Sequence, residues 1–458
     1  MSFEPAQSSG TKKTNSPRMV ALGSFVGTTM EWYDFFLYGT AAALVFSPLF
    51  FPDISPAMGL IAAFGTYAVG FLARPLGGIV AGHIGDRVGR KSMLVASLMI
   101  MGTSTTLIGV LPTHDSIGMW APILLLVLRL AQGFGVGGEW GGAALMSVES
   151  APANRRGFYG SFTQIGVSAG MLLAVGAFSI FRTVLDEETF LAWGWRVPFL
   201  ISGLLVFVGL LIRIGLSEPE KFAEMKQNDT IAEMPVVELF RTERRAVFLT
   251  TGMRLSQNAI YYLYTVFGIA YIARSLGSAS SAGLNSVLIA SAIGLVSVPV
   301  WAALSDRFGR RPLYLFGAVT SALFIAPFFL LADTGNPVLI TLAMVVGLNI
   351  FHDAMYGPQA AFFSEMFSTG VRYSGASVGY QLGSVFAGGF SPLIATSLLA
   401  LNNGRPWLVV AYFTVLSIIT AVCAYLAPET NKSDINADSS SHDTASSTNQ
   451  EVRSISGM

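Results

Sequence analysis

Two short charged loops with nearly the same sequence constrain the fold of this chain most strongly. One reads Ile-Gly-Asp-Arg-Val-Gly-Arg-Lys from Ile84 to Lys91, and the other reads Leu-Ser-Asp-Arg-Phe-Gly-Arg-Arg from Leu304 to Arg311. Each loop lies between two long apolar segments, and their spacing is close to half of the 458 residues. A repeat of this length indicates that the chain consists of two related halves.

The composition indicates a membrane protein. Apolar residues make up 52% of the chain and charged residues 12%, about half of the ~25% that is usual in soluble domains. Lys and Arg balance Asp and Glu at 27 each, so the net charge gives no indication of a nucleic-acid partner, and we expect none. A single cysteine, Cys423, excludes an internal disulfide, and with only four histidines we expect no metal and no other cofactor. Doubled membrane proteins of this kind are typical of secondary transporters.

Twelve apolar segments are long enough to cross a bilayer, whose ~30 Å core requires about 20 residues per helix. We therefore predict an all-α polytopic protein of two six-helix halves, residues 19–216 and 247–427, joined by a polar loop at 217–246. The tails at 1–18 and 428–458 are expected to be disordered. The predicted helices cover 20–47, 58–82, 92–112, 120–147, 158–181, 195–216, 247–273, 282–304, 312–332, 338–364, 375–400 and 406–427.

The distribution of positive charge predicts the orientation. About twenty of the 27 Lys and Arg residues lie in the two tails, the central loop and the even-to-odd loops, and about four lie in the opposite loops. Both termini are therefore expected in the cytoplasm, with the chain in the cell (inner) membrane. The first apolar segment is too long for a signal peptide and is expected to remain as a helix.

A second repeat predicts a cytoplasmic gate. Glu149 and Arg156 stand seven residues apart at the end of the fourth segment, and Glu365 and Arg372 stand in the same relation at the end of the tenth. Ion pairs between these helices would hold one conformation and break in another, although the arginines alone could serve as positive-inside anchors. The loop residues expected to take part in the same switching are Asp86, Arg87, Arg90, Asp306, Arg307 and Arg310.

Several motifs resemble the major facilitator superfamily. The loop Gly82 to Lys91 is similar to the superfamily motif between helices 2 and 3, and Arg129 to Gly135 is similar to its helix 4 motif. Three narrower stretches, Glu31 to Gly39, Arg74 to Gly78 and Gly137 to Gly142, resemble the metabolite:proton symporters within it. The resemblance runs from about Met19 to Ala427 and implies proton-coupled import of a metabolite by alternating access.

Within that family, Ser55 to Ser161 together with Asn349, His352 and Asp353 is most similar to shikimate-transporting members. Two places depart from their pattern. Helix 1 carries Glu31 in place of an aspartate, and helix 7 matches only in its opening Arg254-Leu. Because helix 7 commonly lines the cavity in this superfamily, these departures bear on the substrate.

Ionisable residues inside the predicted helices are candidates for the transport site, since each costs ~2.5–3.5 kcal/mol at the centre of a bilayer. We expect the coupled proton on one of five residues: Glu31, Asp34, Glu139, His352 and Asp353. The alternative is static salt bridges that only hold helices together, such as Arg129 with a helix 1 acid. His352 could be an ordinary core residue, and Arg74 could reach the interface or pair with Asp86.

Charge balance and hydrogen-bonding side chains predict a carboxylate substrate. Four acids face three arginines, so protonating two acids leaves one positive charge for a monoanion. We expect Arg129 to bind the carboxylate, with Arg254 second, and the best candidate substrate is shikimate or a related hydroxylated cyclic or aromatic acid. The predicted substrate-binding residues are Arg129, Gln132, Tyr38, Arg254, Asn258, Tyr261 and Asn349.

Other functions fit the sequence less well. A symporter for 2-oxoglutarate or another di- or tricarboxylate would use the same charges. A drug/proton antiporter would show fewer charges in helices 1 and 4. The sequence has no nucleophile or metal constellation for an enzyme, and its polar segments are too short for a receptor domain. We expect a monomer in the lipid bilayer whose partners are a small carboxylate and protons.

Overall fold

The computed structural model describes residues 16–88, 90–137, 139–215, 235–276 and 282–432, and all regular elements within them are helical. Twelve long helices follow one another in this part of the chain. Their bounds are: helix 1, Pro17–Ala41, Ala42–Phe46 and Ser47–Phe50; helix 2, Pro56–Val88; helix 3, Arg90–Val110; helix 4, Trp120–Gly137 and Glu139–Glu149; helix 5, Arg156–Val184; helix 6, Arg196–Gly215; helix 7, Arg244–Tyr262, Leu263–Phe267 and Gly268–Leu276; helix 8, Ala282–Phe308; helix 9, Arg310–Ala332; helix 10, Pro337–Val345, Val346–His352 and Asp353–Glu365; helix 11, Arg372–Ser384, Val385–Gly389 and Ser391–Leu401; helix 12, Trp407–Leu426.

Short helices lie between these long ones. They are His114–Ile117, Ala153–Arg155, Glu187–Thr189, Phe190–Gly194, Pro235–Thr242 and Thr369–Val371. The helix Pro235–Thr242 and the start of helix 7 at Arg244 fall inside the stretch predicted as a polar loop, so the described part of this connection is helical. The first turn of helix 7 carries two arginines, Arg244 and Arg245, before its apolar residues begin. The predictions for 1–15, 217–234 and 433–458 lie outside the described residues.

Eight of the helices in the described part of the chain are long and apolar enough by themselves to cross a membrane, and ten qualify when two bent pairs are each taken as one helix. Helix 3 contributes a shorter apolar stretch, Val95–Val110. Helix 7 is not apolar enough to be counted among these helices, because Arg254, Gln257 and Asn258 lower its hydropathy. All three side chains are buried. Its polar residues therefore face the interior of the bundle and not lipid.

The helix contacts repeat between the two halves. Helix 1 packs on helix 5, helix 2 on helix 4 and helix 3 on helix 6. Six helices later, helix 7 packs on helix 11, helix 8 on helix 10 and helix 9 on helix 12. The doubling inferred from the two loops is therefore present in the packing. The halves meet where helix 5 contacts helices 8 and 10 and where helix 2 contacts helix 11.

Glycines bring helices 2 and 4 into unusually close contact. A Cβ added to Gly77 would lie 1.9 Å from the carbonyl oxygen of Phe134, and one added to Gly133 would lie 2.1 Å from that of Gly70. No larger residue fits without moving a backbone. This contact fixes helix 4, and with it Arg129, against helix 2.

In the described part of the chain, four of the twelve long helices contain a π-helical turn, and the short helix Phe190–Gly194 is π-helical as well. Helices 1, 7, 10 and 11 each widen locally, at Ala42–Phe46, Leu263–Phe267, Val346–His352 and Val385–Gly389. Such turns often occur at functional sites, because they rotate side chains relative to a regular helix. The turn in helix 10 contains Asn349 and His352.

The residues just after helix 12 fold back onto helix 9. The carboxylate of Glu429 accepts hydrogen bonds from the backbone N–H groups of Arg310 (2.9 Å) and Arg311 (3.1 Å) and so caps the start of that helix. The hydroxyl of Thr430 donates to Glu365 Oε2 at 2.6 Å. Gly309 makes the turn before helix 9 with φ of 102°, a left-handed conformation that favours glycine.

Candidate functional site

Arg129 lies inside the amino-terminal half with hydrogen-bonding capacity to spare. Its side chain is 1% exposed, and its guanidinium carbon lies 4.3 Å from the ring centre of Tyr38 and 4.8 Å from those of Phe35 and Tyr67. Nη1 donates to Gln132 Oε1, whereas Nε and Nη2 make no hydrogen bond to any residue that the structure describes. A buried guanidinium with free N–H groups is suited to a carboxylate, which it can bind through two parallel hydrogen bonds.

The neighbours of Arg129 are held in place by helices 2 and 3. Gln132 Nε2 donates to Thr105 Oγ1 at 2.8 Å, which turns the Gln132 oxygen toward the guanidinium. The Tyr38 hydroxyl lies 2.7 Å from Thr66 Oγ1. The predicted residues Tyr38, Arg129 and Gln132 are therefore brought together in one cluster.

Asp34 of helix 1 lies near this arginine without forming an ion pair with it. Asp34 accepts a hydrogen bond from Ser202, and its charge acts on both Arg129 and Glu139. Glu31 and Glu139 are also buried, at 2% and 0% exposure. Within the described residues, Arg129 forms no salt bridge with Glu31 or Asp34, so the static pair considered above is absent from this conformation.

Arg74 is buried instead of reaching the membrane interface. It is 2% exposed, and its guanidinium carbon lies 4.4 Å from the ring centre of Phe35 and 4.5 Å from that of Phe71. The expectation that it could snorkel to the interface was wrong, because the aromatic rings of helices 1 and 2 provide a cation–π site inside the bundle.

Arg254 in the carboxy-terminal half has a fuller set of hydrogen bonds. Nη1 donates to Gln257 Oε1 and, at 2.9 Å, to Gln359 Oε1, and Nε donates to Ser384 Oγ at 3.3 Å. The guanidinium carbon also lies 3.6 Å from the ring centre of Tyr380. This cation is thus held by side chains of helices 7, 10 and 11.

Tyr380 connects this site to the other half. Its ring stacks on Trp140 of helix 4 with centroids 3.7 Å apart and planes 16° from parallel. Trp140 donates to Gln164, which in turn donates to the carbonyl oxygen of Tyr356 at 3.0 Å. A continuous set of contacts therefore runs between the halves at the level of the buried charges.

His352 and Asp353 form a hydrogen-bonded pair on helix 10. His352 Nδ1 lies 2.9 Å from Asp353 Oδ1, and His352 Nε2 lies 2.7 Å from Gln257 Nε2. Asp353 Oδ2 accepts from Asn349 at 3.2 Å and from Ser297. A cavity of about 10 Å³, room for about one water, adjoins the pair.

The two remaining predicted substrate residues are Tyr261, which lies beside this pair, and Asn258, which lies beside Ser384, a partner of Arg254. Tyr261 has its ring centre 5.3 Å from that of His352, and its hydroxyl has no hydrogen-bond partner in the described part of the chain. Asn258 Nδ2 lies 3.4 Å from the carbonyl oxygen of Ser384, a weak hydrogen bond. The substrate residues predicted in helices 7 and 10 thus form a second cluster around Arg254 and His352.

Sequence reasoning missed the side chains that connect these clusters. These side chains carry no charge and come from four different helices, so nothing in the sequence marked them as partners of the buried ions. They are Gln257, Ser297, Gln359, Tyr380 and Ser384. Only Gln257 had a local signal. It follows Arg254 by three residues, as Gln132 follows Arg129, and that spacing places the two side chains on one helix face.

Charged residues close one end of the bundle. Asp306 accepts from the backbone N–H groups of Gly157 and Phe158 at 2.8 Å each, so helix 8 caps helix 5 of the other half. Arg372 Nη1 lies 3.5 Å from Glu149 Oε1, a second link between halves. Within the carboxy-terminal half, Arg310 pairs with Asp306 (2.7 Å) and Glu365 (3.3 Å).

The other predicted gate residues are less fully defined. Arg156 is buried, and Arg307 is exposed beside a cavity of about 500 Å³ that Arg155 also lines. The backbones of Asp86, Arg87 and Arg90 are helical, but their side chains lie outside the described structure.

Comparison with known proteins shows which family this chain belongs to. The family of sugar (and other) transporters matches residues 19–221 and again residues 217–437. The chain belongs to this family of the major facilitator superfamily. The two matches correspond to the two six-helix halves.

Individual relatives of this family are similar over nearly their whole length. The shikimate transporter of Escherichia coli K12 is 43% identical over 92% of this chain and 97% of its own. The inner membrane metabolite transport protein YhjE of the same organism is 38% identical over 91% and 95%, and its proline/betaine transporter is 34% identical over 96% and 88%. The structure of the proton:xylose symporter XylE bound to 6-bromo-6-deoxy-D-glucose superimposes with a TM-score of 0.73 at 17% identity, covering 90% of this chain and 96% of XylE.

These findings confirm the predicted fold and class. The chain is a multi-pass membrane transporter of small molecules with the twelve-helix fold of the major facilitator superfamily, and it is not an enzyme. The family resemblance read from the loop and helix 4 motifs is likewise confirmed.

Proposed function

We propose that this protein is a proton-coupled importer of a small hydrophilic carboxylate, with shikimate or a related hydroxylated cyclic acid as substrate. The observation that supports it best is Arg129, a buried cation with two nitrogen atoms that lack acceptors in the described structure. Leaving such donors unpaired costs about 1–3 kcal/mol or more for charged groups. A substrate carboxylate would offset that cost.

Polar groups around the site suit the rest of a hydroxylated ring. The hydroxyl of Tyr261 and the Oδ1 atom of Asn349 are buried and make no hydrogen bond to described residues. The aromatic side chains Phe35, Phe71 and Tyr262 lie within 6.5 Å of one another, by ring centroid, and offer apolar surface to a ring face. The 43% identity to a shikimate transporter supports the same substrate class.

The coupled proton is proposed to bind the acids near Arg129. Asp34 is the first candidate, because its charge acts on both Arg129 and Glu139. Protonation of one acid removes a negative charge that otherwise offsets Arg129, so the arginine would bind an anion more tightly. Glu31, Glu139 and the His352–Asp353 pair remain candidates for the same role.

Alternating access would proceed by opening the charged end of the bundle. The contacts from Asp306 to helix 5 and from Arg372 to Glu149 join the halves in this conformation and must break to expose the site from that side. On the orientation predicted from the Lys and Arg distribution, this end faces the cytoplasm.

Uptake in cells that lack their own carrier tests the proposal. Labelled shikimate should accumulate above its external concentration, and a protonophore should abolish that accumulation. Quinate, protocatechuate, 2-oxoglutarate and betaine complete the panel. Preference for betaine, which bears no net charge, would overturn the proposal, whereas preference for 2-oxoglutarate would keep the charge argument and replace the ring acid by a dicarboxylate.

A further inference from the structure

The hydrogen bonds around Gln257 determine which of its two amide atoms faces which neighbour. A guanidinium can only donate, so the atom of Gln257 that meets Arg254 Nη1 must be the oxygen. Gln359 Nε2 donates to the same oxygen at 3.3 Å, in agreement with that orientation. The Gln257 nitrogen therefore faces His352 Nε2 and donates to it across 2.7 Å.

This orientation also determines the protonation state of His352. Because Nε2 accepts a hydrogen bond, it carries no proton, and the proton of the neutral ring lies on Nδ1. Nδ1 then donates to Asp353 Oδ1 at 2.9 Å. A single hydrogen-bonded chain of side chains thus connects Arg254, Gln257, His352 and Asp353. Each of its hydrogen bonds has a fixed direction.

We propose that His352 is a proton-controlled switch that determines, through the amide of Gln257, whether Arg254 is free to bind the substrate carboxylate. A protonated His352 donates from both ring nitrogens, so two donors would meet at Gln257 Nε2. The amide must then turn its oxygen to His352. Its nitrogen would face the Arg254 guanidinium, and the hydrogen bond from Arg254 to Gln257 would be lost, leaving those to Gln359 and Ser384.

The consequence is cooperative binding of proton and anion. Protonation at His352 withdraws one acceptor from Arg254, which leaves an N–H group for a carboxylate. A carboxylate that takes over Arg254 frees the Gln257 oxygen for His352, so substrate binding in turn favours protonation. This switch lies in the carboxy-terminal half and is separate from the acids near Arg129, and its effect on transport rests on the carboxylate function proposed above.

The surroundings of His352 leave few other groups that could control it. The side chains that face the pair from helices 7, 8 and 10 are neutral apart from Asp353 and, through Gln257, Arg254. The charge of Glu31 in helix 1 acts on Tyr356, whose ring centre lies 5.2 Å from that of His352. The neutral neighbours are Tyr261, Tyr356, Asn349 and Ser297, and Val167 and Ser168 of helix 5 line the adjoining cavity.

Nuclear magnetic resonance of the ¹⁵N-labelled histidine side chains tests the switch without any substrate. The chain has four histidines, so the His352 signals can be assigned by their loss in His352→Gln. In the full-length transporter near neutral pH, we expect the tautomer with the proton on Nδ1. Gln257→Leu should change the Nε2 resonance of His352. The opposite tautomer in the wild-type protein would overturn the proposal.

Binding of shikimate to the purified transporter at pH 5.5 and pH 8 tests the consequence for Arg254. The ratio measured is the dissociation constant at pH 8 divided by that at pH 5.5. We expect this ratio to be about tenfold smaller in Gln257→Leu and His352→Gln than in the wild type. Ser384→Ala is the control, since it also removes a hydrogen-bond acceptor of Arg254 but leaves the described contacts of Gln257 and His352 intact, and its two dissociation constants should keep the wild-type ratio. An unchanged ratio in Gln257→Leu would overturn the switch.

The two measurements also separate this proposal from the proposed function. If the wild-type protein binds no carboxylate, the proposed function fails, and the tautomer of His352 alone decides whether the hydrogen-bonded chain exists. If shikimate binds and the tautomer is the opposite one, the function stands and the switch is wrong.

Discussion

Arg129 and Arg254 are equally buried, at 1% exposure each, yet their surroundings differ. Arg129 is enclosed by three aromatic rings and has one hydrogen-bond partner, Gln132, in the described structure. Arg254 donates to three side chains from three helices. Because a hydrogen bond is gained only where a donor is free, the first arginine offers an anion both Nε and Nη2, whereas the second already has Nε and Nη1 engaged with protein side chains.

The largest effect should follow loss of the unsatisfied arginine. We expect Arg129→Ala to lower kcat/KM for carboxylate uptake by ~100-fold or more, since removing one member of a buried ion pair costs 2–5 kcal/mol. Arg254→Ala is the matched variant and should cost only about tenfold, because Nε and Nη1 of Arg254 already donate to protein side chains. Uptake rates normalised to the amount of protein in the membrane measure both. Equal losses in the two variants would contradict the comparison.

Removal of the acid near Arg129 should separate accumulation from exchange. Asp34→Asn keeps the shape of the side chain but cannot release a proton, so we expect no accumulation against a gradient while internal substrate still exchanges for external substrate. Counterflow and net uptake in membrane vesicles measure the two activities. Ser202→Ala, which removes a hydrogen bond to Asp34 but leaves its carboxyl, should still accumulate substrate. Full accumulation by Asp34→Asn would place the coupled proton elsewhere.

The charged end of the bundle should show a smaller, kinetic effect. Asp306→Ala removes two hydrogen bonds of 2.8 Å between the halves, and Asp86→Ala changes the corresponding loop of the amino-terminal half. We expect both variants to insert normally and to lower the maximal rate several-fold, with KM little changed, because each loop pairs in only one of the two conformations. Initial rates over a range of substrate concentrations provide the test. Normal rates in both variants would remove these loops from the gate.

The smallest effect should come from Tyr38→Phe. This change keeps the ring 4.3 Å from the Arg129 guanidinium carbon and removes only the hydroxyl that contacts Thr66. The lost hydrogen bond joins two neutral groups, so we expect an effect near the lower end of about 0.5–1.5 kcal/mol, a rise in KM of about twofold. Tyr38→Leu, which loses the ring as well, should cost more if the cation–π contact positions Arg129. Equal effects of Phe and Leu would show that the ring contributes nothing.

The sequence predicted the twelve helices because membrane insertion leaves a simple signal. A repeated loop and the apolar lengths between charged loops were enough to number the helices, and Arg129, Asp34 and Arg254 stood out as ions that lipid would not accept. Helix ends were less predictable, as at Arg244, where a helix begins among polar residues. A hydrophobic window ends at the first charges, but the backbone hydrogen bonds of a helix can continue past them.

The partners of the buried ions could not be predicted for a different reason. Gln359, Ser384 and Ser202 approach Arg254 and Asp34 from other helices, more than one hundred residues away in the chain. Their contacts depend on helix rotation, which the π-helical turns in helices 1, 7, 10 and 11 alter locally. The direction of the hydrogen bonds through Gln257 could be determined only from the structure, which shows its contacts with Arg254 and His352.

The cap that Glu429 places on helix 9 has a practical consequence for experiments on this transporter. Fluorescent proteins and affinity tags are commonly joined to the carboxy terminus, and the tail beyond helix 12 is a natural place to truncate the protein for such fusions. A truncation that removes Glu429 and Thr430 would take away the acceptors at Arg310 and Arg311 and the donor to Glu365. A tag should therefore be attached after residue 432, so that a loss of transport can be assigned to the substitution under study and not to the attachment.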